Sequence, residues 1–212
     1  MNRLVRLGRL LVALSFATAS AGALAADPNP IGLKAGVFDP PQLAAEFPPG
    51  LRATDQGDLS LARYRGKVVL LAFGYTSCTE VCPVTLSILA QARRKLAALA
   101  SDLQVVYITV DPERDSVLRM RSYLTAFDPS FMGGTGTAEQ LAAVRSAYGI
   151  TVGKKMPMPG GYLLSHSSFT YLIDRDGRMR ALMPFGHDAA DFAHDVRLLL
   201  QTPPTAASPK GS

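Results

Sequence analysis

The 212-residue chain has only two cysteines, and both lie in Gly74-Tyr75-Thr76-Ser77-Cys78-Thr79-Glu80-Val81-Cys82-Pro83. This CxxxC pair follows a continuous apolar run from Lys67 to Gly74 and precedes a segment of helical periodicity. Both sulfurs therefore fall where a strand ends and a helix begins. A helix N-terminus carries unpaired N–H groups and partial positive charge, which favour thiolate over thiol. The expectation is a lowered pKa for Cys82, the sulfur next to the first turn. In a helical or tightly turned segment this spacing also points both sulfurs the same way. Such a pair can bridge as a disulfide or chelate a metal. Two thiolates suit a soft ion, and Cu(I) accepts two or three soft ligands, whereas structural zinc normally takes four. A disulfide here closes a very small loop and removes little chain entropy, so a purely stabilising bridge is a weak use of the pair.

Further donors are few. The histidines are His166, His187 and His194. His166 stands in Tyr162-Leu-Leu-Ser-His-Ser-Ser-Phe169, just before a predicted strand, where an imidazole can reach the sheet's edge near the cysteine loop. It is the candidate third ligand, and a hydrogen-bonded loop histidine is the alternative. His187 and His194, before and within the last predicted helix, read as surface groups. Met156 and Met158, in Lys154-Lys-Met-Pro-Met-Pro-Gly-Gly161, offer thioethers to Cu(I), with loop packing as the competing use.

The elements that must position these groups alternate. A proline-rich, extended lead-in covers residues 26–50, with a short helix expected near Gln42–Glu46. Leu51–Leu61 reads as a hairpin turning at Asp55-Gln56-Gly57. Lys67–Gly74 is a central strand covered on both faces. The next helix takes Pro83 in its first turn and carries Ile88, Leu89, Ala92, Leu96 and Leu99 on one face. Leu103–Val110 is a second buried strand. Helices follow at Ser116–Phe127, capped by Ser116, and at Thr137–Tyr148, ended by Gly149. Phe169–Ile173 and Met179–Phe185 form a hairpin around Asp174–Gly177, and Asp188–Leu200 is a closing amphipathic helix. The pattern predicts an α/β protein, a mixed sheet flanked by helices, compatible with a thioredoxin-like fold carrying an N-terminal β-hairpin extension. The predicted organisation is a leader over 1–25, the lead-in over 26–50, one domain over 51–201 and a disordered tail over 202–212.

Composition removes other classes. Forty-eight per cent of residues are hydrophobic and 18% charged, which argues for a packed core. No run approaches a confident membrane span. The formal charge is +5, but Arg3, Arg6 and Arg9 supply three of the positive charges. Beyond residue 25 the chain has 19 basic against 17 acidic residues and no long basic stripe. Arg93-Arg94-Lys95 reads as a solvated helix face, so no nucleic-acid partner is expected. Gly133-Gly-Thr-Gly136 has no following lysine, which argues against a phosphate loop. Residues 1–25, basic and then apolar and ending Ala23-Leu24-Ala25, have the layout of a secretory signal peptide. The expected location is the periplasm; the alternative is an uncleaved anchor in the inner membrane. Two cysteines in that compartment can be oxidised.

FGYTSCTEVCP, VDPERD at Val110–Asp115 and SHSSFTYLIDRDG at Ser165–Gly177 together resemble the Sco (SenC) family. The likeness runs over roughly residues 50–200. It implies a thioredoxin-like fold and a copper-binding metallochaperone role in assembling the binuclear copper centre of cytochrome c oxidase. The ligands it implies are Cys78, Cys82 and His166. The implied partners are the apo copper-centre subunit of the oxidase and a periplasmic copper donor or thiol reductant. Asp111 matches an acidic family position associated with metal transfer or partner contact; a strand-end cap is its alternative. Thr79 departs from the proline or phenylalanine of many members, at a tolerant position.

Two other functions compete. The cysteine pair could serve a thiol–disulfide oxidoreductase that reduces a copper-receiving partner, one thiolate attacking and the other resolving. The three-residue spacer separates it from general thioredoxins. A peroxidase is the weaker option: Thr79 stands three before Cys82, but Tyr75 occupies the position where peroxiredoxins place a proline.

Overall fold

The computed structural model describes residue 29 and residues 31–203. The expected leader and most of the expected tail lie outside the described residues. Among the described residues no helix is long and apolar enough to cross a membrane.

The strand sequence Val68–Gly74 (β3) is buried at every position. Such a run is stable only between two paired neighbours and under two covered faces. It pairs in parallel with Leu103–Thr109 (β4) and antiparallel with Phe169–Ile173 (β8). Parallel pairing of β3 and β4 requires a crossover. The helix Val81–Leu96 (α1) supplies it, followed by a 3-10 turn over Ala97–Asp102. Leu99 lies in that turn and is exposed, so the buried stripe of α1 is Leu86, Leu89, Ala92 and Leu96.

Around this centre the seven-stranded sheet runs β1-β9-β8-β3-β4-β5-β2. Its outer strands are Gly36–Leu43 (β1), Arg52–Ala53 (β2), Met132–Thr135 (β5) and Arg178–Pro184 (β9). Caps mark the remaining helices. Ser116 accepts from the Arg119 N–H at the start of Val117–Thr125 (α2). Thr137 and Gln140 form a reciprocal capping box at Ala138–Ala147 (α3), and Asp188 caps Ala189–Gln201 (α4). Gly149, at φ +61°, ends α3 with its N–H on Ser146 O, while Ile150 N–H reaches Arg145 O.

Three elements depart from the sequence expectation. No helix forms near Gln42–Glu46. Gln42 and Leu43 instead end β1, paired with Met179 and Arg178 of β9. Pro40 and Pro41 fall where the register shifts, an edge-strand position that needs no N–H. From Leu33 onward the lead-in thus packs against the sheet and α4. Leu33, Ala35, Ala44 and Phe47 are buried, and the Lys34 and Ala35 N–H groups donate to the buried Asp195 carboxylate of α4. The glycine run forms β5. A β-carbon at Gly133 would lie 2.8 Å from Leu124 Cδ1, and one at Gly134 would lie 2.5 Å from Ile108 Cδ1. Close packing against α2 and β4, not β-propensity, selects these glycines. Finally, Met156–Met158 (β6) and Gly161–Leu163 (β7) make a separate two-stranded hairpin.

Candidate metal centre

Two loops at one end of the sheet meet to form the site. β3 delivers Tyr75–Glu80 to the start of α1, and the β6–β7 hairpin delivers Leu164–Ser168 to the start of β8. Val152 and His166 form an isolated bridge that holds the histidine segment to the chain after α3.

Cys78 and Cys82 are free thiols. Cys78 is half-buried, and Cys82, in the first turn of α1, is 2% exposed. His166 Nε2 stands 3.5 Å from Cys82 Sγ. Its other nitrogen, Nδ1, lies 2.7 Å from the Ser167 carbonyl oxygen and donates to it. That bond fixes the tautomer and turns the Nε2 lone pair toward the sulfur, the second-sphere arrangement seen for metal-ligating histidines. Tyr75 packs edge-on against the imidazole at 5.9 Å between centroids, and its hydroxyl accepts from the Leu164 N–H.

The ring is thus held from both sides. A small ion bound at about 2.3 Å from sulfur and about 2.0 Å from nitrogen separates those two atoms by roughly 3.5 Å. Cys82 and His166 already have that spacing. Cys78 adjoins Cys82, yet among the described residues no three His, Cys, Asp or Glu side chains form a closed ligand cluster. A three-donor site would need Cys78 to close toward the other two.

The two sulfurs titrate as a unequal pair. Cys78 is lowered to about 5, first by the hydrogen bond that the Cys82 thiol donates to it and then by the N–H groups of Cys82 and Glu80. Cys82 is pushed upward, because its proton is held against Cys78 and because it is buried. This corrects the expectation of a low Cys82 pKa. The helix N-terminus does stabilise a thiolate, but the more accessible sulfur receives the donors. The charge of Cys78 is gained between its ordinary value of 9.0 and about 5, so its contribution to stability is present at high pH and is lost as pH falls through 5. Alkylation by iodoacetamide should therefore label Cys78 first, at a rate that stays level from pH 9 to about 6 and halves near pH 5. A rate that rises tenfold per unit up to pH 8 contradicts the assignment. The profile is the readout, because a low-pKa thiolate is also a weaker nucleophile.

The acids of Val110–Asp115 hold the two loops. Asp115 is fully buried; its Oδ2 accepts from Thr76 N–H at 3.0 Å and Thr109 Oγ1–H at 2.6 Å, and its Oδ1 from Thr76 Oγ1–H at 2.5 Å. It ties the cysteine loop to the end of β4. Asp111, 2% exposed, accepts from Arg114 Nε–H and from Tyr162 Oη–H at 2.7 Å, which ties the β6–β7 hairpin to the same loop. Its carboxylate is engaged inside the protein and does not face solvent.

Sequence reasoning singled out the cysteines, His166 and Asp111, but not Asp115 or Tyr107. The latter is 1% exposed on β4; its hydroxyl finds no oxygen or nitrogen partner and adjoins Cys82. A β-carbon on Gly74 would collide with that hydroxyl and lie 2.7 Å from Cys82 Sγ. His187 and His194 pair with Asp191 and Asp195 along α4, outside this site.

A mixed sheet with a strand-to-helix dithiol and a facing imidazole defines a thioredoxin-like thiol protein whose cysteine pair lies against a histidine. Residues 42–201 match the SCO1/SenC family, and the chain belongs to it. The mitochondrial SCO2 homologue of Bos taurus is 40% identical over 159 residues, 68% of this chain and 59% of that protein. The chain spans less than two thirds of the first curated relatives it matches, 57–59% of their lengths. The copper-bound structure of Bradyrhizobium japonicum ScoI is 31% identical, with a TM-score of 0.67, over 74% of this chain and 99% of that one. Copper-bound yeast Sco1 is 27% identical, with a TM-score of 0.69, over 78% of this chain and 92% of that one.

Proposed function

We propose that the protein is a copper metallochaperone that receives copper on Cys78, Cys82 and His166 and passes it to the apo copper-centre subunit of cytochrome c oxidase. The observation that carries this reading is the 3.5 Å approach of Cys82 Sγ and His166 Nε2, with Nδ1 tied to a backbone carbonyl. Copper bound in related Sco structures supports the choice of cargo. Two thiolates and one imidazole form a soft, three-donor set that leaves a position free for an incoming ligand, so the ion can leave by exchange rather than dissociation. The basic and apolar segment at residues 1–25 supports a place outside the cytoplasm, in the periplasm or anchored to the inner membrane facing it.

The test is an anaerobic copper titration of the reduced protein, repeated after the thiols are oxidised. The expected result is one copper per reduced chain and loss of tight uptake on oxidation. Equal uptake in both states overturns the ligand assignment.

The unequal thiols favour a second activity on the same pair. Cys78 thiolate would attack a partner disulfide, expelling one partner thiolate and leaving a mixed disulfide. Cys82, after losing its proton, would then attack Cys78 sulfur and release the second partner thiolate. The chain would be oxidised by two electrons as the partner is reduced. This activity needs both cysteines but not His166, so His166→Ala should separate the two functions.

A further inference from the structure

Cys78 and His166 share one wall-to-wall cleft of roughly 270 Å³ with a third soft donor, Met156. We propose that Met156 is a thioether ligand for Cu(I) in this cleft, engaged as the ion arrives and retained as a weak, displaceable fourth donor once buried Cys82 has joined the site. The inference rests on the copper reading above and adds to it a ligand for one oxidation state.

Met156 does not behave as a packing residue. It is 49% exposed, although a methionine that fills a core gap is buried. It begins β6, paired with Leu163 in a hairpin outside the main sheet, and that hairpin is fastened where the thioether is needed. Tyr162 donates to Asp111, Arg114 Nη1–H donates to the Tyr162 carbonyl at 2.9 Å, and the Arg114 guanidinium lies 3.7 Å from the Tyr162 ring centre. Next to Met156 in sequence, Lys155 pairs with Glu113 across the same junction. Met158 is comparably exposed at 41% but does not line the cleft, which makes it an internal control.

The donor order follows from burial. An ion coming from solvent meets Met156, Cys78 and His166 before Cys82, which is 2% exposed. A thioether is neutral and needs no deprotonation, so it can take a soft ion without releasing a proton, and it exchanges readily because it binds weakly. It discriminates for Cu(I) and adds little for Cu(II), which prefers harder nitrogen and oxygen donors.

The experiment titrates reduced full-length protein anaerobically with Cu(I) against a chromophoric Cu(I) chelator, and separately with Cu(II). Wild type, Met156→Leu and Met158→Leu are compared, with the sulfur count at copper read by X-ray absorption. The expected result is a loss of Cu(I) affinity on the order of tenfold in Met156→Leu. One sulfur scatterer is lost with it, Cu(II) affinity is unchanged, and Met158→Leu behaves as wild type. Leucine conserves volume at a half-exposed site, so the fold is retained. Wild-type affinity and sulfur count in Met156→Leu overturn this inference alone; equal losses in both methionine variants also overturn it. Failure of the wild type to bind copper overturns the proposed function and this inference together.

Discussion

Alanine at Cys82 should lower the affinity of the reduced protein for Cu(I) by more than about 100-fold, beyond what loss of an outer-sphere partner usually removes. Cys82 is the group that the other two proposed ligands meet: its sulfur is 3.5 Å from His166 Nε2, and its thiol donates to Cys78. Without it, the sulfur 3.5 Å from the imidazole is gone and only Cys78 and His166 of the three are left, lining an open cleft. Cys78→Ala should be nearly as severe, since it removes the thiolate that is already ionised near neutral pH. His166→Ala should divide the two oxidation states. Two thiolates alone can still hold Cu(I) in a low-coordinate geometry, so Cu(I) affinity should fall less than in either cysteine variant. Cu(II), which gains more from imidazole, should be lost almost entirely. Chelator competition for Cu(I) and optical titration for Cu(II) read both. Near wild-type affinity in the Cys82 variant removes the proposed centre. A larger Cu(I) loss in His166→Ala than in Cys82→Ala reverses the roles of the donors.

What could be read from residues alone was whatever depends on local pattern. The apolar run at β3 announces a strand covered on both faces, and Ser116, Thr137 and Asp188 mark helix starts because a short polar side chain there meets unpaired N–H groups. The turn Asp174–Gly177 is legible because Asp174 accepts from Asp176 and Arg178 N–H and Gly177 takes φ +77°. What depends on distant partners was not legible. β5 is invisible to propensity because its glycines are chosen by the approach of Leu124 and Ile108. β1 hides in a proline-rich stretch because an edge strand needs few N–H groups from Pro40 and Pro41. At the site, the two cysteines and His166 carry their chemistry in their residue types. Which sulfur ionises depends instead on burial and on who donates to whom: the helix N-terminus by itself points to Cys82, whereas the donors gather on Cys78.

Asp115 is the clearest case of a role that only the folded chain reveals, and its replacement by alanine is expected to be the most destabilising change near the site. The carboxylate is fully buried and receives three donors, Thr76 N–H, Thr76 Oγ1–H and Thr109 Oγ1–H. Arg119, half-exposed on α2, extends the network by donating to Thr76 Oγ1 at 2.6 Å and to Ser77 Oγ at 3.1 Å. From the other side, Thr135 Oγ1–H donates to the Asp115 carbonyl and links β5. Removing the acid leaves buried donors without an acceptor and leaves Arg119 without its nearby counter-charge at 3.9 Å. The cost is about 3 kcal/mol, the scale of a broken buried polar network. For a domain of this size that lowers Tm by about 6–12 °C. Because Thr76 and Ser77 lead directly into Cys78, the same change should loosen the cysteine loop and weaken Cu(I) binding even at temperatures where the domain remains folded. Asp115→Asn should fall between, since the amide keeps one acceptor oxygen but turns an N–H₂ toward donors. Thermal unfolding with copper titration at 10–15 °C below the new midpoint separates the two effects. A Tm within 2 °C of wild type would show that the network does not hold the loop. A large fall in Tm with unaltered copper affinity would show that the acid serves the fold and not the geometry of the sulfurs.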